Sequence, residues 1–363
     1  MSSGQSPSQD VQSWLYLFTS SIRELYIADA VDLLAQPDRA WYRFRYESKY
    51  LDNETRKQWE DTRLNGKRVA VNFSLQHPAE FHPAIFIPLR TGEVVSTQVD
   101  GDTYIVNFRL GQYLPLKDKP DWEPRQRKGP VLEYTEGLKK LLGPQHHPDD
   151  RIHATLGAAP KELVSAASDS GKAFAAVVRF LTPALYFSPR IYWRIAGITK
   201  DATGKPVGLD GEGNLPLTAG KGYTLRLAHY QYQAPTTEMS LSVTVPKAVD
   251  LVGSDEIVLR SRYDIIPIRL FPPYRDDVRT GELAISTEPP SKGPTARLPI
   301  IVLPPLGQTF SGPLLGVGGT LALALPAVLA SDKLLILRIV LAVVGALIAG
   351  LGLWLRRQKG LPG

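Results

Sequence analysis

Two apolar runs near the end of the chain constrain its fold more than any other feature. Residues 334–355 carry a single charged side chain, Arg338, and residues 312–330 form a second apolar run interrupted by Pro326. A helix as long as the 334–355 run spans roughly 33 Å, whereas the hydrocarbon core of a bilayer is about 30 Å thick. The two runs, joined by the polar residues 331–333, therefore predict a two-helix transmembrane hairpin.

Two other interpretations of these runs stay open. In the first, only residues 334–355 cross the bilayer, and residues 312–330 are re-entrant or packed against protein. In the second, both runs form a buried hairpin in the core of a globular domain. We favour the transmembrane hairpin, because adjacent apolar runs of this length are rare in soluble proteins.

Basic residues predict the orientation of the hairpin. Arg356, Arg357 and Lys359 lie in the tail 356–363, and such residues concentrate on the cytoplasmic side of membranes. With two spans, the N-terminal domains also face the cytoplasm, which predicts an integral protein of the inner or plasma membrane. Residues 1–11 are polar and lack the apolar core of a signal peptide, so we expect a disordered lead-in there.

Small residues recur at four-residue intervals within the predicted spans. They are Gly318 and Ala322 in the first span, and Ala342, Ala346 and Gly350 in the second. Such ridges allow helix backbones to approach closely. We interpret them as packing within one hairpin; the alternative is a homo-oligomer, and with it a pore.

Upstream of the spans, residues 12–116 predict a small β-barrel or β-sandwich. Asp100-Gly101-Asp102 separates two strand-like segments and is a strong hairpin signal. The strand-like segments are residues 13–18, 41–51, 68–75, 84–89, 94–99 and 103–110. Residues 117–185 read as a charged linker with short helices, one ending at Gly143 and one ending before Pro183.

Residues 186–305 predict an immunoglobulin-like β-sandwich, in architecture alone. Within residues 239–245, Met239, Leu241 and Val243 alternate with polar residues, as on a strand with one buried face. The strand-like segments are residues 223–232, 239–245, 256–271, 281–288 and 296–304. Pro267 and Pro299 predict edge strands or bulges, because proline cannot donate to the ladder.

Motifs that carry chemistry are scarce. The chain has no Cys, no GxSxG, no HExxH and no kinase motif set, so we expect a non-enzymatic protein without a cofactor. His146, His147, Asp149 and His153 have metal-ligand chemistry, and a hydrolase using them is a third hypothesis. The segment contains a proline and no periodicity, so a solvated loop is favoured. Residues 208–214, GLDGEGN, predict a hairpin loop.

Basic and aromatic residues interleave in residues 38–50, as on a surface that binds nucleic acid. Arg43 and Arg45 are the candidate binding residues. Strand alternation offers the other account, in which Tyr42, Phe44 and Tyr46 line a core while the arginines face water. We favour alternation, because the net charge of +6 is a small excess for this length.

The order of the parts predicts a membrane-anchored binding protein, either a sensor-effector or a scaffold. Its cytoplasmic β modules would recognise a protein or ligand, and its hairpin would anchor it in the lipid bilayer and support oligomerisation. The alternative is a membrane-tethered protein that binds nucleic acid or a nucleotide through the N-terminal module.

Overall fold

A computed structural model describes eleven segments of the chain. These are residues 13–21, 23–75, 85–114, 130–142, 154–158, 170–184, 191–230, 239–259, 263–274, 279–289 and 293–305. The described residues up to 217, together with those between 221 and 301, belong to one compact unit, and residues 218–220 with 302–305 belong to a second. The predicted spans, their small residues Gly318, Ala322, Ala342, Ala346 and Gly350, and the basic tail lie outside the described residues. Within the described segments, no helix combines the length and apolarity needed to cross a bilayer.

The described chain is mainly β, with several sheets and a half-barrel. Its strands are β1 (Trp14–Ser20), β2 (Trp41–Glu47), β3 (Arg68–Leu75), β4 (Ile85–Asp100), β5 (Thr103–Tyr113), β6 (Ala154–Gly157), β7 (Tyr192–Lys200), β8 (Leu215–Thr218), β9 (Tyr223–Tyr230), β10 (Met239–Thr244), β11 (Asp250–Val252), β12 (Glu256–Leu259), β13 (Tyr263–Phe271), β14 (Thr280–Glu288) and β15 (Thr295–Leu303). Its α-helices are α1 (Glu24–Ala35), α2 (Asn53–Glu60), α3 (Pro130–Leu142) and α4 (Ser170–Ala184), and a 3₁₀ turn covers Ser48–Tyr50.

The first sheet has six strands in the order β2-β5-β4-β3-β1-β6. β1 pairs in parallel with β3, for example Leu17 with Val71, while β6 pairs antiparallel with β1. A parallel pair needs a crossover, which α1, β2 and α2 supply. All seven residues of β1 are buried, as its nearly continuous apolar sequence requires.

A fully buried arginine of β4 closes the C-terminal end of α1. Arg90 Nη1 donates to the carbonyl oxygens of Gln36 (2.6 Å) and Leu33 (3.3 Å), two groups at the end of the helix. Its Nη2 donates to Asp38 Oδ1 at 2.5 Å and to the Gly111 carbonyl at 2.6 Å. The carbonyls of a last helical turn have no partner within the helix, so this guanidinium takes the place of a C-cap.

Tyr113 of β5 extends the same cluster towards the second β module. Its ring lies under the guanidinium of Arg90, 4.4 Å from the centroid, and its hydroxyl donates to the Leu34 carbonyl at 2.6 Å. Its ring also meets Phe174 of α4, with centroids 5.6 Å apart, and Arg194 of β7 lies 5.7 Å away. Both modules therefore meet around one tyrosine.

The second module contains a five-stranded sheet, in the order β12-β10-β14-β15-β8, and a four-stranded sheet, in the order β11-β13-β9-β7. The pairings given for both sheets are antiparallel. Trp193 of β7 is buried and donates from Nε1 to Thr287 Oγ1 of β14 at 3.0 Å, which joins the two sheets. The module is sandwich-like.

Several local predictions are confirmed. Met239, Leu241 and Val243 are all buried on one face of β10. The hairpin between β4 and β5 turns at Gly101, whose φ of 59° suits glycine.

The edge-strand prediction differs from the structure: β13, with Pro267, lies between β11 and β9, and β15, with Pro299, lies between β14 and β8. Pro267 is tolerated because β11 pairs only with Arg269 to Phe271 in the described chain.

Other elements differ from the prediction. α1 and α2 were not predicted, nor were β7, β8 and β11. The predicted strands 84–89 and 94–99 are one long strand, β4, which bends at register shifts. α4 continues through Pro183 to Ala184, since a proline in a last turn removes only one N–H donor. The interval predicted as a linker also supplies β6.

The Arg90 cluster generates a stability prediction. We expect Arg90→Met to lower the free energy of unfolding by about 3–5 kcal/mol, because it leaves buried carbonyls and Asp38 without their donor. Urea unfolding followed by tryptophan fluorescence measures this. Arg63→Met is the matched control: Arg63 pairs with Asp61 at the surface, 69% exposed, and its loss should cost under about 1 kcal/mol. Equal losses in the two variants would contradict the role of Arg90.

Candidate binding surfaces

Strand β2 forms one edge of the first sheet, and its side chains alternate between the core and the outside. Phe44 and Tyr46 are buried, while Arg43 and Arg45 are exposed. Phe44 packs against Phe108 of β5, with ring centroids 5.6 Å apart. Alternation therefore accounts for the interleaving of basic and aromatic residues.

The outer face of β2 holds one arginine in a fixed position. Arg43 Nε donates to Asn107 Oδ1 at 2.8 Å, and Asn107 Nδ2 donates to Ser96 Oγ at 3.0 Å. The three side chains lie on β2, β5 and β4, so a polar chain crosses three strands. Arg43 stays exposed while it makes this contact.

The indole of Trp41, at the start of β2, is partly covered by a loop of the second module, and the residue stays 44% exposed. A Cβ on Gly213 would lie 2.6 Å from Trp41 Cδ1, so only glycine allows this approach. Arg109, opposite Trp41 on β5, donates to the Gly211 carbonyl at 2.7 Å. The predicted hairpin loop 208–214 is thus a turn that docks on the first sheet.

Asp210 closes this turn and is not free to hold a metal. Its Oδ1 accepts the N–H groups of Glu212 (2.9 Å) and Asn214 (2.8 Å). Burial raises the pKa of Asp210 and these hydrogen bonds lower it, with a net lowering. Among the described residues, no three His, Asp or Glu side chains form a metal-binding group. The candidate ligands His146, His147, Asp149 and His153 lie outside those residues.

The second surface is the outer face of β13. Its alternation places Ile268 and Leu270 in the core and leaves Ile265 and Phe271 outside. The exposed side chains, here called the β13 strip, are Val252 (55% exposed), Ile265 (48%), Phe271 (37%) and Tyr274 (63%).

Two arginines lie on the same face as Ile265 and Phe271. Arg269 pairs across the strands with Val252, and Arg226 of β9 pairs with Pro267; both arginines are exposed. Residues paired across strands share one face of the sheet. The face therefore combines large apolar side chains with two guanidinium groups, which no sequence pattern had indicated.

His229 of β9 is the one buried histidine in the described part of the chain. Its side chain is fully buried, and neither ring nitrogen forms a hydrogen bond there. Trp193 and Asp264 are its neighbours across the strands. Burial lowers the pKa of His229 to about 4, and the charge of Asp264 offsets this in part. The one sequence signal for this position is the alternation of β9, in which Leu225 and Leu227 place residue 229 on the inward face.

Comparison with known proteins does not assign the chain to a family. No family model and no curated protein matches the chain. Among solved structures, one that it is similar to is a protein of unknown function from Porphyromonas gingivalis W83. The match has 12% sequence identity and a TM-score of 0.20, and it covers 32% of this chain and 49% of the other. At this level, the similarity carries no inference about fold or function.

His229 predicts an acid-sensitive fold. Its unfolded pKa is near 6.5 and its native pKa about 4, so between these values the unfolded chain binds a proton that the native chain does not. Titration of His229 should leave the free energy of unfolding unchanged well above pH 6.5. Acidification to pH 4 should lower that free energy by about 3 kcal/mol. Urea unfolding across this pH range measures the slope.

His229→Leu tests the assignment, since leucine fits an apolar site and does not titrate. Between pH 6.5 and 4, the free energy of unfolding of this variant should fall by about 3 kcal/mol less than that of the parent chain. An unchanged acid slope would place the titrating group elsewhere.

Proposed function

We propose that the chain is a membrane-anchored, non-enzymatic binding protein whose β modules recognise a partner protein. In this proposal, residues 312–330 and 334–355 form the transmembrane hairpin, and residues 186–305 form an immunoglobulin-like sandwich. The N-terminal domains and the C-terminus face the cytoplasm, at the inner or plasma membrane. The apolar runs and the basic tail support the anchor; the paired antiparallel sheets support the sandwich.

The observation that carries the recognition role is the β13 strip. Ile265, Phe271 and Val252 lie on one sheet face, with Arg269 between Ile265 and Phe271. Apolar side chains combined with arginine are typical of protein interfaces. On an ordinary solvent-facing strand, the positions of Ile265 and Phe271 would be polar. The strip therefore favours a protein partner.

The alternative, nucleic-acid binding by the first module, is less well supported. Arg43 and Arg45 are exposed and could neutralise phosphates. Base stacking needs open aromatic faces beside the arginines. In β2 the exposed aromatic side chain is Trp41 (44% exposed), which Gly213 approaches closely, while Phe44 and Tyr46 are buried.

Membrane anchoring predicts a clear effect of charge in the second run. Val344→Lys with Leu347→Lys places two charges at the centre of the span, each costing about 2.5–3.5 kcal/mol. We expect the full-length variant to leave the membrane fraction on alkaline carbonate extraction, while the parent chain stays.

The matched control for this extraction is Leu25→Lys with Val99→Lys, which adds the same charge at exposed positions. It should stay with the membrane. If the parent chain is itself extracted by carbonate, the proposed anchor is wrong.

The recognition role predicts site-selective cross-linking. A photoreactive benzoylphenylalanine at position 265 should give a discrete adduct in host cells, because the β13 strip is a contact surface. The same group at position 99, an exposed site on β4, is the control. Arg269→Glu should lower the yield at position 265. Identical adduct patterns at both positions would argue against a recognition surface.

A further inference from the structure

The free side of β2 offers unpaired backbone groups. In an antiparallel pair, residues that exchange hydrogen bonds alternate with residues whose N–H and C=O point away. Bonds from Leu110 N to the Ala40 carbonyl (2.8 Å) and from Ser48 N to the Asp102 carbonyl (3.0 Å) fix which residues face β5. The backbone groups that point away belong to Trp41, Arg43, Arg45 and Glu47. In the part of the chain that the structure describes, no strand pairs with this side.

The charge along this edge is positive. Arg39, Arg43 and Arg45 are exposed and form no ion pair within the described segments, whereas Glu47 pairs with Lys49. Arg45 also acts on half-buried Asp29, whose pKa is raised by burial and lowered by the arginine. The edge therefore carries guanidinium groups that form no ion pair in the described segments, beside backbone donors and acceptors that pair with no described strand.

Charged side chains on an edge strand also protect a sheet against unwanted pairing. Lysine is the side chain most often used in that role. Arg43 is instead held by Asn107, so its guanidinium is positioned before any partner arrives. Positioned arginines favour recognition of carboxylates, which they bind with defined geometry.

We propose that the β2 edge binds an extended acidic segment of a partner protein, which adds an antiparallel strand to the first sheet. Main-chain hydrogen bonds to residues 41–47 supply affinity, and side chains at alternate positions supply specificity. Because directly opposed residues share a face, the segment carries carboxylates two residues apart, opposite Arg43 and Arg45. This proposal does not depend on membrane anchoring or on the β13 strip.

The test uses the full-length chain and the fluorescently labelled, end-capped peptide TVEVEVT, with binding measured by anisotropy. We expect saturable binding that weakens as salt rises, and no binding of TVKVKVT. Arg43→Glu with Arg45→Glu should weaken binding of the acidic peptide at least about tenfold and allow TVKVKVT to bind. Lys205→Glu with Lys221→Glu, which changes the charge equally at exposed sites, should bind like the parent.

Backbone pairing is tested separately by N-methylation. Methylation of both glutamate amides removes the donors that face β2 and should abolish binding. Methylation of the central valine amide, which points away from β2, should leave binding within about twofold. Equal effects of the two methylated peptides would overturn strand addition and indicate attraction by charge alone.

Three other results would overturn the proposal. They are no binding of TVEVEVT, equal binding to the charge-reversed variant, and tighter, arginine-dependent binding of single-stranded oligothymidine, which would indicate nucleic acid. Circular dichroism confirms the fold of each variant. If charge reversal prevents folding, Arg43→Gln with Arg45→Gln replaces it, with the same expected direction.

Discussion

The contact of Arg90 with the end of α1 is the constraint on which the arrangement of the first module depends. α1 ends without a glycine or a basic residue in its last turn, so its terminal carbonyls need outside donors. Arg90 and Tyr113 supply them from neighbouring strands. A buried cation at the negative end of a helix is also favourable electrostatically. Burying the charge of Arg90 costs solvation energy. This cost is offset because the guanidinium donates to the oxygen atoms of Leu33, Gln36, Asp38 and Gly111.

α1 in turn links the first sheet to the sandwich-like module. Asp32, in the third turn of the helix, accepts the N–H of Thr295 at the start of β15, at 2.7 Å. Tyr113 contributes on the other side, through Phe174 and Arg194. The contact of Asp32 depends on the position of α1, which Arg90 helps to fix, and Tyr113 itself donates to the Leu34 carbonyl of α1. A change at Arg90 should therefore be felt beyond the first sheet.

Local patterns predicted those parts of the fold whose cause is local. The alternation in β10 and the turn at Gly101 need only neighbouring residues, and both were predicted. The end of α1 was not, because Arg90 lies more than fifty residues away and an isolated arginine reads as a surface residue. β6 has four residues and becomes a strand only because β1 accepts it.

The candidate surfaces were also predictable to different degrees, because local patterns reveal only features that have a local cause. Arg43 and Arg45 stand out, since basic and aromatic residues alternate strictly in β2. The sequence around Ile265 and Phe271 is apolar on both faces, so periodicity cannot separate core from surface. His229 gives no sequence signal except its place in the alternation of β9.

Both candidate surfaces lie where the pairing of a sheet is incomplete. β1, paired on both sides and covered on both faces, has no exposed side chain. Among the described strands, β2 is paired only with β5, and β13 before Arg269 is paired only with β9. At these two places, backbone groups have no strand partner in the described part of the chain. The neighbouring side chains therefore determine which kind of ligand can bind. At β2 these are arginines, which favour a carboxylate-bearing strand; at β13 they are apolar, which favours a packed protein surface.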